Sequence, residues 1–217
     1  MWSQTATDRK AKVEISYLSA TQIRGDQFLI STMTIAFFAV YGLWILSEIL
    51  INRLFRSTDS DQKGLDQNTL GSIWIAIAIS CTLSVFIASY LYLPIAGYLI
   101  RPVGLVLVSL GCLLRILTIR SLGRAFTADV TIRQDHELKT SGVYRYVRHP
   151  SYAFSLLSFV GFGLSLNNWC SLLLLVLTIL FVFQRRMKVE ESALTRQFGA
   201  QYTDYMKKTF RLIPFIY

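Results

Sequence analysis

Charge is what this sequence has least of. Only 16% of its 217 residues are charged, 53% are hydrophobic, and the mean hydropathy is +0.45. Soluble domains carry about 25% charged residues. The deficit excludes a soluble enzyme, a disordered tail and a nucleic-acid binder, although the net charge is +9 and the pI about 9.6. A membrane protein reaches such a charge through basic loops that face anionic lipid. Proline is scarce too: 4 prolines and 12 glycines rule out a collagen-like or low-complexity chain. The three cysteines, Cys81, Cys112 and Cys170, lie in or beside apolar runs with no C-x-x-C pair. They read as small packing residues, with neither a disulfide framework nor a zinc site. There are two histidines, His136 and His149, with no His-x-x-x-His and no acidic cluster of ligand spacing, so no metal is expected. Gly161 and Gly163 sit inside an apolar run and not between a strand and a helix, which excludes a dinucleotide-binding fold. Residues 1–27 lack the layout of a signal peptide, and Pro214 to Tyr217 form no prenylation box.

What the sequence has is long apolar runs. Residues 28–51, 70–93 and 103–119 each predict a membrane span, with Glu48 near the end of the first and Arg115 inside the third. Residues 152–166 and 169–183 are shorter runs on either side of Asn167 and Asn168. They predict a helical hairpin whose ends continue into amphipathic turns. Pro94, Gly97, Arg101 and Pro102 mark a short connection before the third run. The fold class is therefore an all-α integral membrane protein with five spans. Residues 1–119 hold the N-terminal tail and three spans; residues 120–217 hold the hairpin, a hydrophilic loop and a polar C-terminal segment. Lysine and arginine number 4, 1 and 0 in the N-terminal tail, the 94–102 connection and the hairpin turn, but 3, 6 and 7 in 52–69, 120–150 and 184–217. An odd number of spans places the basic-rich segments on one side. The positive-inside rule makes that side cytoplasmic, with the N-terminus opposite. There is no internal repeat of the kind that builds transporters.

The reactive groups fall in two segments that the hairpin must return to one place. In the first, Arg148-His149-Pro150 precedes the fourth run. Proline pushes the residue before it out of helical conformation and suits the first helical position. His149 should cap that helix and Pro150 should open it. Such a start is either a plain entry at the membrane surface, with Arg145 and Arg148 on lipid phosphates, or a site for an anion. In the second, Arg186 and Glu190 are four apart and share a helix face. They form either a surface ion pair or a pair of ligand contacts: Arg186 forking onto a carboxylate, Glu190 holding a cation. His136, alone in a hydrophilic loop, reads as a surface residue. Glu48 and Arg115 lie near the cytoplasmic ends of their spans and are expected to snorkel to the interface.

Taken together, His136-Glu137-Leu138-Lys139, Gly142, Tyr144, Arg148-His149-Pro150-Ser151-Tyr152, Arg186, Glu190-Glu191, Phe198-Gly199, Tyr202, Tyr205 and Leu212-Ile213-Pro214-Phe215 resemble the isoprenylcysteine carboxyl methyltransferase family over residues 110–217. The resemblance implies a membrane enzyme that binds S-adenosylmethionine at the cytoplasmic face and methylates the C-terminal carboxylate of a prenylated cysteine. By position, it implies cofactor contacts at His136, Glu137, Leu138, Lys139, Tyr144, His149, Pro150, Ser151, Tyr152 and Glu190. It implies a substrate-orienting role for Arg186, and catalytic roles for Arg186 and Glu190. Asp129 stands where some family members have a glutamine against the cofactor. The R-H-P element is shared with phospholipid and small-thiol methyltransferases, so those acceptors are alternatives; a non-enzymatic membrane scaffold is another. The partners expected are the prenylated acceptor and the lipid bilayer, with neither nucleic acid nor metal.

Overall fold

A computed structural model describes residues 32, 34–55, 69–97, 99–123, 126–127 and 138–215. They fall in two compact units, Met1–Gly42 and Leu43–Tyr217. Helix α1 is Thr34–Leu54, α2 Thr69–Tyr90, α3 Ile100–Leu122, α4 Pro150–Leu166, α5 Trp169–Phe198 and α6 Ala200–Lys208; a short 3-10 turn covers Gly142–Arg145. Four of these helices are long and apolar enough to cross a membrane, and α4 is a shorter apolar one. These are the five expected spans, and the protein is an integral membrane protein. In the first unit the Phe37 ring meets Tyr41 edge-on at 4.4 Å. In the second, Trp44 meets Phe159 of α4 edge-on at 4.9 Å.

The helix ends differ from the expected ones for identifiable reasons. Arg101 and Pro102, read as connection, lie in the first turn of α3, where proline's missing N–H removes no helical bond. Helix α5 does not stop with its apolar run. It continues unbroken for 30 residues, about 45 Å, against a hydrocarbon layer of about 30 Å. About a third of that length, at its polar C-terminal end, must project beyond the apolar layer. Gly199 ends it with φ 54°, a left-handed conformation that glycine adopts without strain.

The Asn167–Asn168 turn is as expected. Asn167 adopts φ 51° and closes α4, while the Asn168 side chain caps α5 by accepting from Ser171 N–H at 3.0 Å. The same turn clasps the segment between α2 and α3. Asn167 Oδ1 accepts from the N–H groups of Ile95 and Ala96 at 3.0 and 3.2 Å, and Trp169 N–H donates to the Leu93 carbonyl at 3.0 Å. The two connections poorest in basic residues therefore meet at one end. Between α2 and α5, Ser84 and Ser171 each donate a hydroxyl to the other's carbonyl, at 3.3 and 2.7 Å.

Helices α3 and α4 approach more closely still. A Cβ placed on Gly104 would lie 2.5 Å from the Gly161 carbonyl oxygen, and one on Gly161 2.6 Å from that of Gly104. This is small-residue packing, in which backbones touch directly. Gly104→Ala and Gly161→Ala are each expected to lower stability by about 1–3 kcal/mol, the usual range for overpacking. Gly71→Ala, where nothing lies within 4 Å, should be neutral. Thermal unfolding in detergent checks this, and unchanged midpoints at both tight glycines would disprove the close packing. The seam matters for function because it fixes the helix that begins at Pro150.

Candidate functional site

The site grows from a pairing of two distant backbone segments. Phe210 N–H donates to the Tyr146 carbonyl at 2.9 Å, Arg148 N–H to that of Phe210 at 2.8 Å, and His149 N–H to that of Arg211 at 3.1 Å. Val147 and Phe210 thus form a parallel bridge. Pro150 opens α4 and His149 occupies the cap position, as expected. The His149 ring does not cap its own helix. It is 4% exposed and lies between two carboxylates, with Nε2 3.1 Å from Glu191 Oε1 and Nδ1 3.8 Å from Glu190 Oε2.

Adjacent glutamates near the end of α5 have different surroundings. Glu191 is enclosed by cations: Arg148 Nε reaches Oε1 at 3.2 Å, and Arg211 forks onto both oxygens at 3.2 and 2.7 Å. Arg148 also donates to the carbonyls of Met206 and Thr209. It is therefore an internal strut, which corrects the reading that put it on lipid phosphates. Glu190 is more open, with 34% of its side chain exposed against 14% for Glu191. Its Oε2 accepts from the Tyr152 hydroxyl at 3.1 Å. The Tyr152 ring meets Phe183 of α5 edge-on at 5.0 Å and His149 at 5.7 Å.

Arg186 departs most from a surface residue. Leu175, Ile179 and Phe183 form a buried stripe on α5, and Arg186 continues it at 2% exposure. Its Nη1 donates to the hydroxyl of Thr69, the first residue of α2, at 2.6 Å. The charge of Glu190, one turn further on, also acts on it. The surface ion pair is thereby replaced by a buried cation beside a partly open carboxylate.

Other expected residues join the cluster unevenly. Tyr144 is buried, and its carbonyl accepts from the Tyr205 hydroxyl at 2.5 Å. Burial, followed by the charge of Glu190, holds the Tyr144 phenol well above its usual range, so Tyr144 lies in the field of Glu190. Burial pushes the Tyr205 phenol up to about 12. The Ser151 carbonyl accepts from Arg115 Nη1 at 3.1 Å, and Arg115 Nε pairs with Glu48 at 3.0 Å. These two intramembrane charges were expected to snorkel; instead they pair with each other and tie α1 and α3 to the start of α4. Leu138 and Lys139 lie half-buried in the segment leading to the 3-10 turn, and Lys139 makes no hydrogen bond among the described residues. His136, Glu137 and Asp129 lie outside the described residues. Thr69, Arg211 and the clamp on Glu191 were not foreseen. Only the Glu190-Glu191 doublet signalled any of it.

A family model described as phospholipid methyltransferase matches residues 99–201. The Arabidopsis thaliana protein-S-isoprenylcysteine O-methyltransferase B is 33% identical over 161 residues, 70% of this chain and 82% of that protein. The Schizosaccharomyces pombe protein-S-isoprenylcysteine O-methyltransferase is 31% identical over 195 residues, 83% of each chain. Among solved structures, the eukaryotic intramembrane Ras methyltransferase ICMT (isoprenylcysteine carboxyl methyltransferase) superposes with a TM-score of 0.57 at 32% identity. That likeness covers 66% of this chain and 52% of the other, so this chain spans about half the length of that solved relative.

Proposed function

Because the chain belongs to the protein-S-isoprenylcysteine O-methyltransferase family, we propose that it transfers a methyl group from S-adenosylmethionine to the C-terminal carboxylate of a prenylated cysteine. One observation carries the substrate reading: Arg186 places a buried cation on α5 where the helix leaves its apolar run, one turn from Glu190. A lipid-anchored carboxylate arriving from the bilayer meets that cation at the depth where its prenyl chain ends. Residues 1–119 form the membrane anchor and residues 120–217 the catalytic region, with the basic-rich end facing the cytoplasm.

The residues fit the cofactor. Glu190 offers a partly open carboxylate, held by Tyr152, for an ammonium. Pro150, Ser151 and Tyr152 open α4, whose N-terminal end suits a carboxylate. Tyr144, His149, Leu138 and Lys139, with His136 and Glu137 outside the described residues, complete the proposed contacts. Bound there, S-adenosylmethionine supplies an electrophilic methyl on a sulfonium. The rest falls to the chain. An α-carboxyl group has a pKa of about 3.5, so the acceptor is ionised at neutral pH and no general base is required. Arg186 holds the acceptor's two oxygens in one plane and limits the approach, which is an orientation effect. Tyr152 and Phe183 exclude water where the charges meet.

The family-model match favours one competing acceptor, a phospholipid amine. Such an amine is cationic at neutral pH and must shed a proton, and Arg186 opposes its approach. The assay is purified protein in vesicles containing phosphatidylethanolamine, with methyl-labelled S-adenosylmethionine and N-acetyl-S-farnesylcysteine. Base-labile label released as methanol is the expected product. Label found only in base-stable phosphatidylethanolamine derivatives would replace the carboxylate reading with the amine one.

A further inference from the structure

We infer that Thr69 is a positioning residue for acceptor methylation, acting through the guanidinium of Arg186; this rests on the proposed role of Arg186. Thr69 is the first residue of α2 and is buried, and its hydroxyl oxygen accepts a hydrogen bond from Arg186 Nη1 at 2.6 Å. Arginine has a long, rotamer-rich side chain and a planar fork. A fork that must meet a carboxylate in two-point register requires its plane to be set beforehand. A hydroxyl on one Nη sets it, leaving the group's charge unchanged. The hydroxyl comes from α2, which lies outside residues 99–201 that the family model matches. Thus the N-terminal spans anchor the protein and also supply part of the acceptor site.

Thr69→Val preserves shape and removes the acceptor oxygen; Thr69→Ser preserves the oxygen. With N-acetyl-S-farnesylcysteine, Thr69→Val is expected to lower kcat/KM for the acceptor roughly 10- to 100-fold, the usual loss for a hydrogen bond to a charged group. Affinity for S-adenosylmethionine should hold within about twofold, and Thr69→Ser should restore most of the rate. Competition by the corresponding amide, which has no carboxylate for the fork, should be equal in wild type and Thr69→Val. A purely structural role would move cofactor affinity and amide competition together with turnover. Wild-type kcat/KM in Thr69→Val, or an equal loss in Val and Ser variants, overturns the Thr69 role alone. A wild-type protein that methylates no carboxylate overturns the substrate reading, and this inference with it.

Discussion

Arg186→Ala is expected to lower kcat/KM for a prenylcysteine carboxylate by roughly 30-fold to several thousand-fold, the equivalent of about 2–5 kcal/mol for a truncated, buried charge pair. The size follows from burial. At 2% exposure the guanidinium has little water around it, so its attraction for an incoming carboxylate is weakly screened. The fold should survive. A buried cation costs desolvation free energy, and removing it relieves that cost, while the Thr69 hydroxyl loses one donor. Arg186→Met, closer in volume, should therefore melt near the wild-type temperature and still be inactive. Arg186→Lys retains the charge and loses the fork, and should fall between. The measurement is methanol release with folded protein verified by cofactor binding. If the acceptor were an amine, Arg186→Met would retain or gain activity, since the group repelling the substrate would be gone.

The apolar architecture was legible because bilayer thickness imposes a length on every run. The Asn167–Asn168 turn was legible because both its conformation and its cap are local. Helix ends were not. The charges after Gln184 look like the end of a span, but arginine, lysine and glutamate are good helix formers, and α5 carries them on to Phe198. In the site, the legible pairs were those that sequence spacing alone brings together: His149 before Pro150, and Arg186 four residues before Glu190. The illegible ones span the chain. Thr69 lies 117 residues from Arg186, and Arg148 lies 61 from the Thr209 carbonyl it binds. No local pattern announces such pairings, because tertiary packing creates them. The same holds for Glu48 and Arg115, where two isolated charges in apolar runs each suggested a snorkelling side chain. Their pairing is the alternative solution to the same desolvation problem.

Glu190→Gln and Glu191→Gln, adjacent and chemically identical changes, are expected to fail in opposite ways. Glu191 accepts from Arg148 and Arg211 and meets His149, and those three hold the 206–211 segment against the start of α4. Neutralising it removes the negative charge that faces two arginines only 11% and 12% exposed. Breaking a buried pair from one side costs about 3–5 kcal/mol. Glu191→Gln should therefore unfold at a lower temperature, and its activity should fall because the His149–Pro150 entry loses its backing. Glu190 holds no such strut: it accepts from the Tyr152 hydroxyl, meets the His149 ring and lies in the field of Arg186, and a third of it is open. A glutamine can still accept from Tyr152, so Glu190→Gln should melt normally. What it loses is the negative charge offered to the cofactor's ammonium. Affinity for S-adenosylmethionine should fall about 10- to 1,000-fold, the span of roughly 1.5–4 kcal/mol for a charged hydrogen-bonded contact. Calorimetry of cofactor binding and thermal unfolding, run on both variants, separate the two roles. Normal cofactor affinity in Glu190→Gln would remove Glu190 from the site, and an unshifted midpoint in Glu191→Gln would show that the C-terminal segment is held without it.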